Sequence, residues 1–178
     1  ISEKAAELAE RSGRRDQAGA SRLRAGGFLF QAGKYANADA VLEKVVSDRE
    51  AGPARPKAGL LQALARARAA AAGGSANSYE QALERQIREF PDDPTAVEAR
   101  WLLGSLESSR GRREPAMELW KAVPIDSPRW IQARVAVVDA SRHALEDRVA
   151  AEEREGLEGV FAQAQTFVEE SLELARTR

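Results

Sequence analysis

The sequence predicts an all-α protein, an α-solenoid of antiparallel helix pairs, and three observations carry that expectation. Composition is the first: the 178 residues are rich in alanine, arginine, leucine and glutamate, with only 6% aromatic residues, a balance that favours helix over strand. The second is spacing, since apolar residues recur every three or four positions and no alternating strand pattern interrupts them. The third is a repeated phrase. Gly26 stands seven residues before Gly33 and Ala38 five after it, and Gly104 and Ala116 hold the same offsets around Gly111. A chain that repeats a helix-turn-helix phrase stacks helix pairs on one another, and arrays of that kind bind other proteins.

Each element follows from local chemistry. Residues 3–12 form a short amphipathic helix with Ala5, Ala6, Leu8 and Ala9 apolar, ending near Ser12 and Gly13. From Asp16 to Ala32 a second helix carries Ala20, Leu23, Gly27 and Phe30, and Gly33 ends it in the left-handed conformation that glycine adopts freely. Its partner runs from Tyr35 to about Arg49, with Ala38, Val41, Leu42, Val45 and Val46 on one face. Gly52 to Pro56 reads as a break, because two prolines do not continue a helix. Residues 57–72 resume helix and 73–77 form a loop. Ser78 to Gln81 has the capping-box pattern, which starts the next helix at Tyr79. Asp93-Pro94 opens another helix, aspartate as cap and proline where its missing donor costs nothing. Gly111 breaks that helix near Arg110, a helix from Glu114 to Val123 follows, and Ser127-Pro128 repeats the cap-and-proline device. A long helix to Arg148 or beyond and a final one from about Leu157 complete the chain, the last with Val160, Phe161, Ala164, Phe167, Val168, Leu172 and Ala175 on one stripe.

The residues exclude more chemistry than they suggest. Charges nearly cancel, 27 basic against 28 acidic, so a nucleic-acid partner gains no support. Their distribution is uneven: residues 1–72 carry 13 basic and 8 acidic groups, residues 139–178 carry 5 and 10. There is no cysteine to ligate a metal or act as nucleophile, and no apolar run approaches the ~20 residues of a membrane span. His143, the single histidine, has no second histidine beside it to build a metal site or an acid–base pair. Gly74-Ser75 and Gly104-Ser105 lack the second glycine of a nucleophile elbow, and no phosphate-binding loop or dinucleotide fingerprint appears. Glu152, Glu153 and Glu155 read as a solvated face, and Arg110, Arg112 and Arg113 as a solvated turn. No catalytic residue, cofactor or metal is expected. The chain begins at Ile1, which fits a segment of a longer protein without its targeting signal; cytoplasmic and periplasmic or cell-envelope locations both stay open.

The phrase resembles the tetratricopeptide repeat (TPR) family. Gly26, Gly33, Tyr35, Ala38 and Leu42 match its signature in a first unit, Tyr79, Ala82 and Pro94 in a second, and Leu103, Gly104, Gly111, Ala116, Trp120 and Pro128 in a third. The resemblance implies one right-handed TPR-like superhelix, with units at about 16–50, 57–92 and 94–126 and a degenerate pair at 128–178 that caps the array with a polar outer face. Residues 3–12 are then an N-terminal cap or the remnant of a preceding unit. With Asn77 at the second turn position, Gly111 follows after 34 residues, the length of one unit, and about ten residues are inserted at Gly52–Pro56. Arg88-Glu89-Phe90-Pro91-Asp92-Asp93-Pro94 is also similar to bacterial cell-envelope TPR proteins.

By the same resemblance, the first helix of each pair lines a concave groove. The residues it places there are Leu23, Gly27 and Phe30, then Arg66 and Ala67, then Glu98, Trp101, Ser105 and Ser108. The lysine and asparagine with which chaperone-binding members hold a terminal carboxylate are replaced here by Leu23, Gly27, Trp101 and Ser105. Trp101 reads either as a groove anchor or as packing against the neighbouring repeat, Trp120 as core, and Trp130 as cover for a repeat junction. The implied function is a non-catalytic scaffold that binds a partner helix or peptide, with no nucleic acid and no membrane insertion. The alternatives are self-association as a homo-oligomer through the stripe from Leu157 to Ala175, or a regulatory segment of a larger envelope protein or enzyme.

Overall fold

A computed structural model of the chain describes residues 2–11, 13–150 and 157–177. Ser12 and the acids Glu152, Glu153 and Glu155 lie outside the described residues. Within them the chain is helical and strand-free: α1 (Ser2–Arg11), α2 (Arg15–Gln31), α3 (Tyr35–Ser47), a 3-10 turn (Arg49–Ala51), α4 (Ala54–Ala71), α5 (Ala76–Glu89), α6 (Pro94–Ser109), α7 (Arg113–Lys121), α8 (Trp130–Ala150) and α9 (Leu157–Arg176). The helices divide into two compact units, residues 1–99 and 100–178, and the division falls within α6.

One turn geometry joins the paired helices. At the end of α2 the Lys34 N–H donates to the Leu29 carbonyl (2.9 Å) and the Gly33 N–H to Phe30 (3.0 Å), with Gly33 at φ 72°. These two bonds satisfy carbonyls that the helix end leaves orphaned, and the positive φ they require is cheap only for glycine. The same pair of bonds closes α1, α4 and α6. In the second pair the turn residue is Gly73 (φ 99°), so Asn77 lies inside α5. Forty residues separate Gly33 from Gly73 and thirty-eight separate Gly73 from Gly111. These near-equal spacings replace the expected 34-residue period with a ten-residue insertion.

Two further local expectations are corrected. The capping box at Ser78 does not form: Ser75 is the cap position, and the Ser78 hydroxyl donates back to the Ser75 carbonyl at 2.7 Å. The break expected from Gly52 to Pro56 ends at Pro53. Pro56 sits in the first turn of α4, where no intrahelical bond needs its absent N–H. Other caps form as their residues require. Asp93 accepts the Thr95 N–H at 2.8 Å, and Ser127 accepts the Arg129 N–H at 3.0 Å, although α8 begins only at Trp130.

In residues 1–99, α2 packs on α3, and α4 lies against both of them before turning into α5. Leu42, Val45 and Val46 are fully buried there among Ala38, Ala54 and Ala58. In residues 100–178, α7 packs on α8 and α8 on α9, around Trp120, Val123, Trp130 and Val137. Both units use one close-approach device. A Cβ on Gly26 would lie 2.5 Å from Leu42 Cδ2, and one on Gly104 would lie 2.4 Å from Trp120 Nε1.

The end of the chain departs from expectation. α9 buries no residue fully, and the outer face of α8 and α9 exposes Ile131, Val135, Val138 and Leu172 in place of a polar cap.

Gly104→Ala is expected to destabilise the protein by about 1–3 kcal/mol, the cost of overpacking against a rigid indole. Gly27→Ala, whose added methyl meets nothing within 4 Å, should instead stabilise it by about 0.5–1 kcal/mol. Urea denaturation measures both, and equal shifts would remove the close-approach device from the account.

Candidate functional site

The surfaces that the first helices present are built from side chains already engaged inside each unit. On α2, Leu23 and Phe30 are half-buried and pack against the core of residues 1–99, and the Phe30 ring meets Tyr35 edge-on at 5.5 Å. On α4, Arg66 reaches across to α3: its Nε donates to Asp39 Oδ1 at 2.9 Å and a terminal nitrogen to Glu43 at 3.4 Å.

Arg66 belongs to a polar network that the sequence reading missed. Gln62, only 1% exposed, donates through Nε2 to Asp39 at 2.7 Å and Glu43 at 2.8 Å. Arg85 on α5 donates to Glu43 and Glu89, both at 2.9 Å, and Arg55 donates to Glu89 at 3.2 Å while lying over the Phe90 ring. Burial raises the pKa of the Glu43 carboxyl, but hydrogen bonds from Gln62 and Arg85 and the charges of Arg85 and Arg66 outweigh it, holding the group below the usual carboxylate range. The only trace of the network in the sequence is two i,i+4 pairs of matched polarity, Asp39 with Glu43 and Gln62 with Arg66, which face each other across α3 and α4.

On α6, Glu98 lies near Tyr79, whose hydroxyl pKa is raised by burial first and by the Glu98 charge second. Trp101 stacks at a tilt on Trp120 with ring centroids 5.9 Å apart, and the Arg129 guanidinium covers it at 5.7 Å. Its carbonyl accepts from both Trp120 Nε1 (3.3 Å) and the Ser105 hydroxyl (3.0 Å). Trp101 is therefore half-buried and joined to the core of its own unit. Ser108 is half-buried one turn before Gly111. Trp120 and Trp130 are both buried. The arginines after α6 are not open to an anion: Arg110 and Arg112 pair with buried Glu107 and Arg113 with Asp147. His143 pairs on the surface with Glu146 at 3.1 Å. No group of three or more metal-ligating side chains occurs among the described residues.

No family model matches the chain, and no curated protein matches it either. Among solved structures it is similar to the nearly identical TPR-like repeats of a Podosopora anserina protein described as a kinesin light chain, with a TM-score of 0.50, 18% identity, and coverage of 88% of this chain and 94% of that one. The fold is TPR-like. The TPR-like first helices place Leu23, Phe30, Arg66 and Glu98 in residues 1–99 and Trp101, Ser105 and Ser108 in residues 100–178, and each set has neighbours within its own unit.

Two outcomes follow. Glu43 has a depressed folded pKa, so its contribution is present above its unfolded pKa and lost as pH falls through the folded one. Thermal melts should show stability dropping on acidification below about pH 4.5, with a shallower acid slope in Glu43→Gln; identical slopes would exclude the network as the cause. Trp101→Ala should lower stability by about 2–4 kcal/mol through loss of the Trp120 and Arg129 contacts, read by the same melts at neutral pH.

Proposed function

We propose that this protein is a non-catalytic scaffold for protein–protein interaction, binding a partner helix or extended peptide along the first helices of its TPR-like pairs. The observation that carries the reading is the direct packing of α2 on α4 in residues 1–99, with Leu23, Phe30 and Leu61 on these helices left half-buried although large and apolar. Two adjacent helices with partly exposed apolar side chains offer a partner helix its anchors. Arg66 and Glu98 are the charged candidates within residues 1–99; within residues 100–178 the candidate contacts are, separately, Trp101, Ser105 and Ser108. Arg66 is pre-ordered by Asp39 and Glu43, which reduces the entropy that binding must remove. Nearly balanced charge favours a protein over a nucleic acid. No helix among the described residues is long and apolar enough to cross a membrane.

A photo-crosslinking residue at Leu23, compared with one at exposed Ala40 on α3, tests the reading in native extract. Protein adducts should form from position 23 and fall about tenfold when Phe30→Ala is added, whereas position 40 should give background. Equal labelling from 23 and 40 would sink the assignment.

A further inference from the structure

Every cation on the two adjacent first helices of residues 1–99 can be followed to its neighbours. Together α2 and α4 hold seven arginines and lysines against a single acid, Asp16. Four of the seven reach carboxylates on other elements: Arg15 meets Glu50, Arg22 meets Glu10, Arg55 meets Glu89, and Arg66 meets Asp39 and Glu43. Arg24, Lys57 and Arg68 meet no carboxylate among the described residues, and all three are exposed.

The unpaired cations border an apolar strip. Along α4, Lys57, Leu61, Leu64 and Arg68 are spaced by four, three and four residues, so they form one stripe. Its two leucines are half-buried and its two ends are charged. Leu61 packs on the same core cluster as Leu23 and Phe30 of α2, which sets the stripe beside that helix. Across it on α2, Arg24 adjoins Leu23 and stands one turn before Gly27, where an added Cβ would meet nothing within 4 Å. Lys57 and Arg68 are separated along the helix axis by roughly 16 Å, three turns of α4. No carboxylate of the unit is left over to neutralise them. Asp39, Glu43 and Glu89 are held by Arg66, Arg85 and Arg55, and Glu98 on α6 is engaged as well.

We propose that the partner lying along α2 and α4 is an acidic peptide segment. Its apolar side chains would seat on Leu23, Leu61 and Leu64, with aspartates or glutamates meeting Arg24, Lys57 and Arg68. The inference rests on the scaffold reading above and adds the partner's charge to it. Exposed ion pairs are individually weak, so these three select the partner and speed its approach while the leucines anchor it. A nucleic acid matches the strip less well, because the leucines between the cations offer a phosphate nothing.

Peptide display on the whole chain tests it. The library holds random peptides of about 16 residues, long enough as helices to span from Lys57 to Arg68. Selected peptides should carry acids around apolar residues, and their binding should weaken as salt rises. In a triple Arg24→Gln, Lys57→Gln, Arg68→Gln variant their affinity should fall about tenfold or more. A triple Lys34→Gln, Lys44→Gln, Arg88→Gln variant removes the same charge from other exposed positions and should bind like the native chain. Circular dichroism checks that both variants fold. Peptides without an acidic bias, equal binding by the first variant, or an equal loss in the second would overturn the proposal and leave the scaffold reading standing. Capture of no peptide at all would sink both. Tighter binding of a thymidine oligonucleotide, or of vesicles of phosphatidylcholine and phosphatidylserine, lost in the first variant, would overturn it by assigning the cations to phosphates.

Discussion

Leu42 occupies the space that a side chain on Gly26 would need, and Trp120 does the same at Gly104. In each case the large residue stands sixteen positions after the glycine, on the second helix of a pair. A missing side chain on one helix and a filled groove on the other fix how closely the two backbones approach. That separation then dictates the small residues nearby, Ala38 after Gly33 and Ala116 after Gly111, both without exposed surface. Burying a leucine contributes roughly 1.5–3 kcal/mol, so the device also supplies much of the adhesion within each pair.

The second pair uses this device at another position, Gly59 of α4 lying against the buried Gln86 side chain of α5. Counted from its turn glycine, Gly73, the positions equivalent to Gly26 and Leu42 are Arg66 and Ala82, so large and small have changed places. Arg66 does not go into an apolar groove; it extends to the carboxylates of α3 and joins the network of Gln62, Glu43 and Arg85. Buried polar groups add order only when their hydrogen bonds are made. Both donors of the Gln62 amide nitrogen are accepted by carboxylates. The three helices α3, α4 and α5 are thus held in register by directional bonds as well as by packing.

Legibility in the sequence followed how local each determinant is. The turns at Gly33 and Gly111 could be read because one residue decides each, and the cap at Asp93 because its bond to Thr95 spans two positions. Gly73 was hidden: it follows an alanine run that carries no face signal, and Ser78 offered a plausible cap five residues later. That misplacement produced the uneven period and concealed the exchange of large and small at Arg66 and Ala82. The candidate surface was legible only as far as helix identity. Trp101 could be placed on the first helix of a pair, but its contacts with Trp120 and Arg129 depend on tertiary neighbours nineteen and twenty-eight residues away. The α9 stripe from Leu157 to Ala175 could be read from spacing, but the exposure of Ile131, Val135 and Val138 on α8 could not, since a stripe of valines and leucines reads alike whether or not something covers it.

Alanine makes up fifteen of the twenty-five buried apolar residues among those described. A methyl group removes little hydrocarbon surface from water, so cohesion here depends on backbones brought close together more than on bulky side chains. Unfolding is accordingly expected to expose less apolar area per residue than in a leucine- or phenylalanine-rich core, with a heat capacity increment toward the low end of the usual ~12–15 cal/mol/K per residue. A small increment flattens the dependence of stability on temperature. The economy of side-chain volume that lets the helices pair so closely therefore also broadens the range of temperature over which the fold keeps a nearly constant margin.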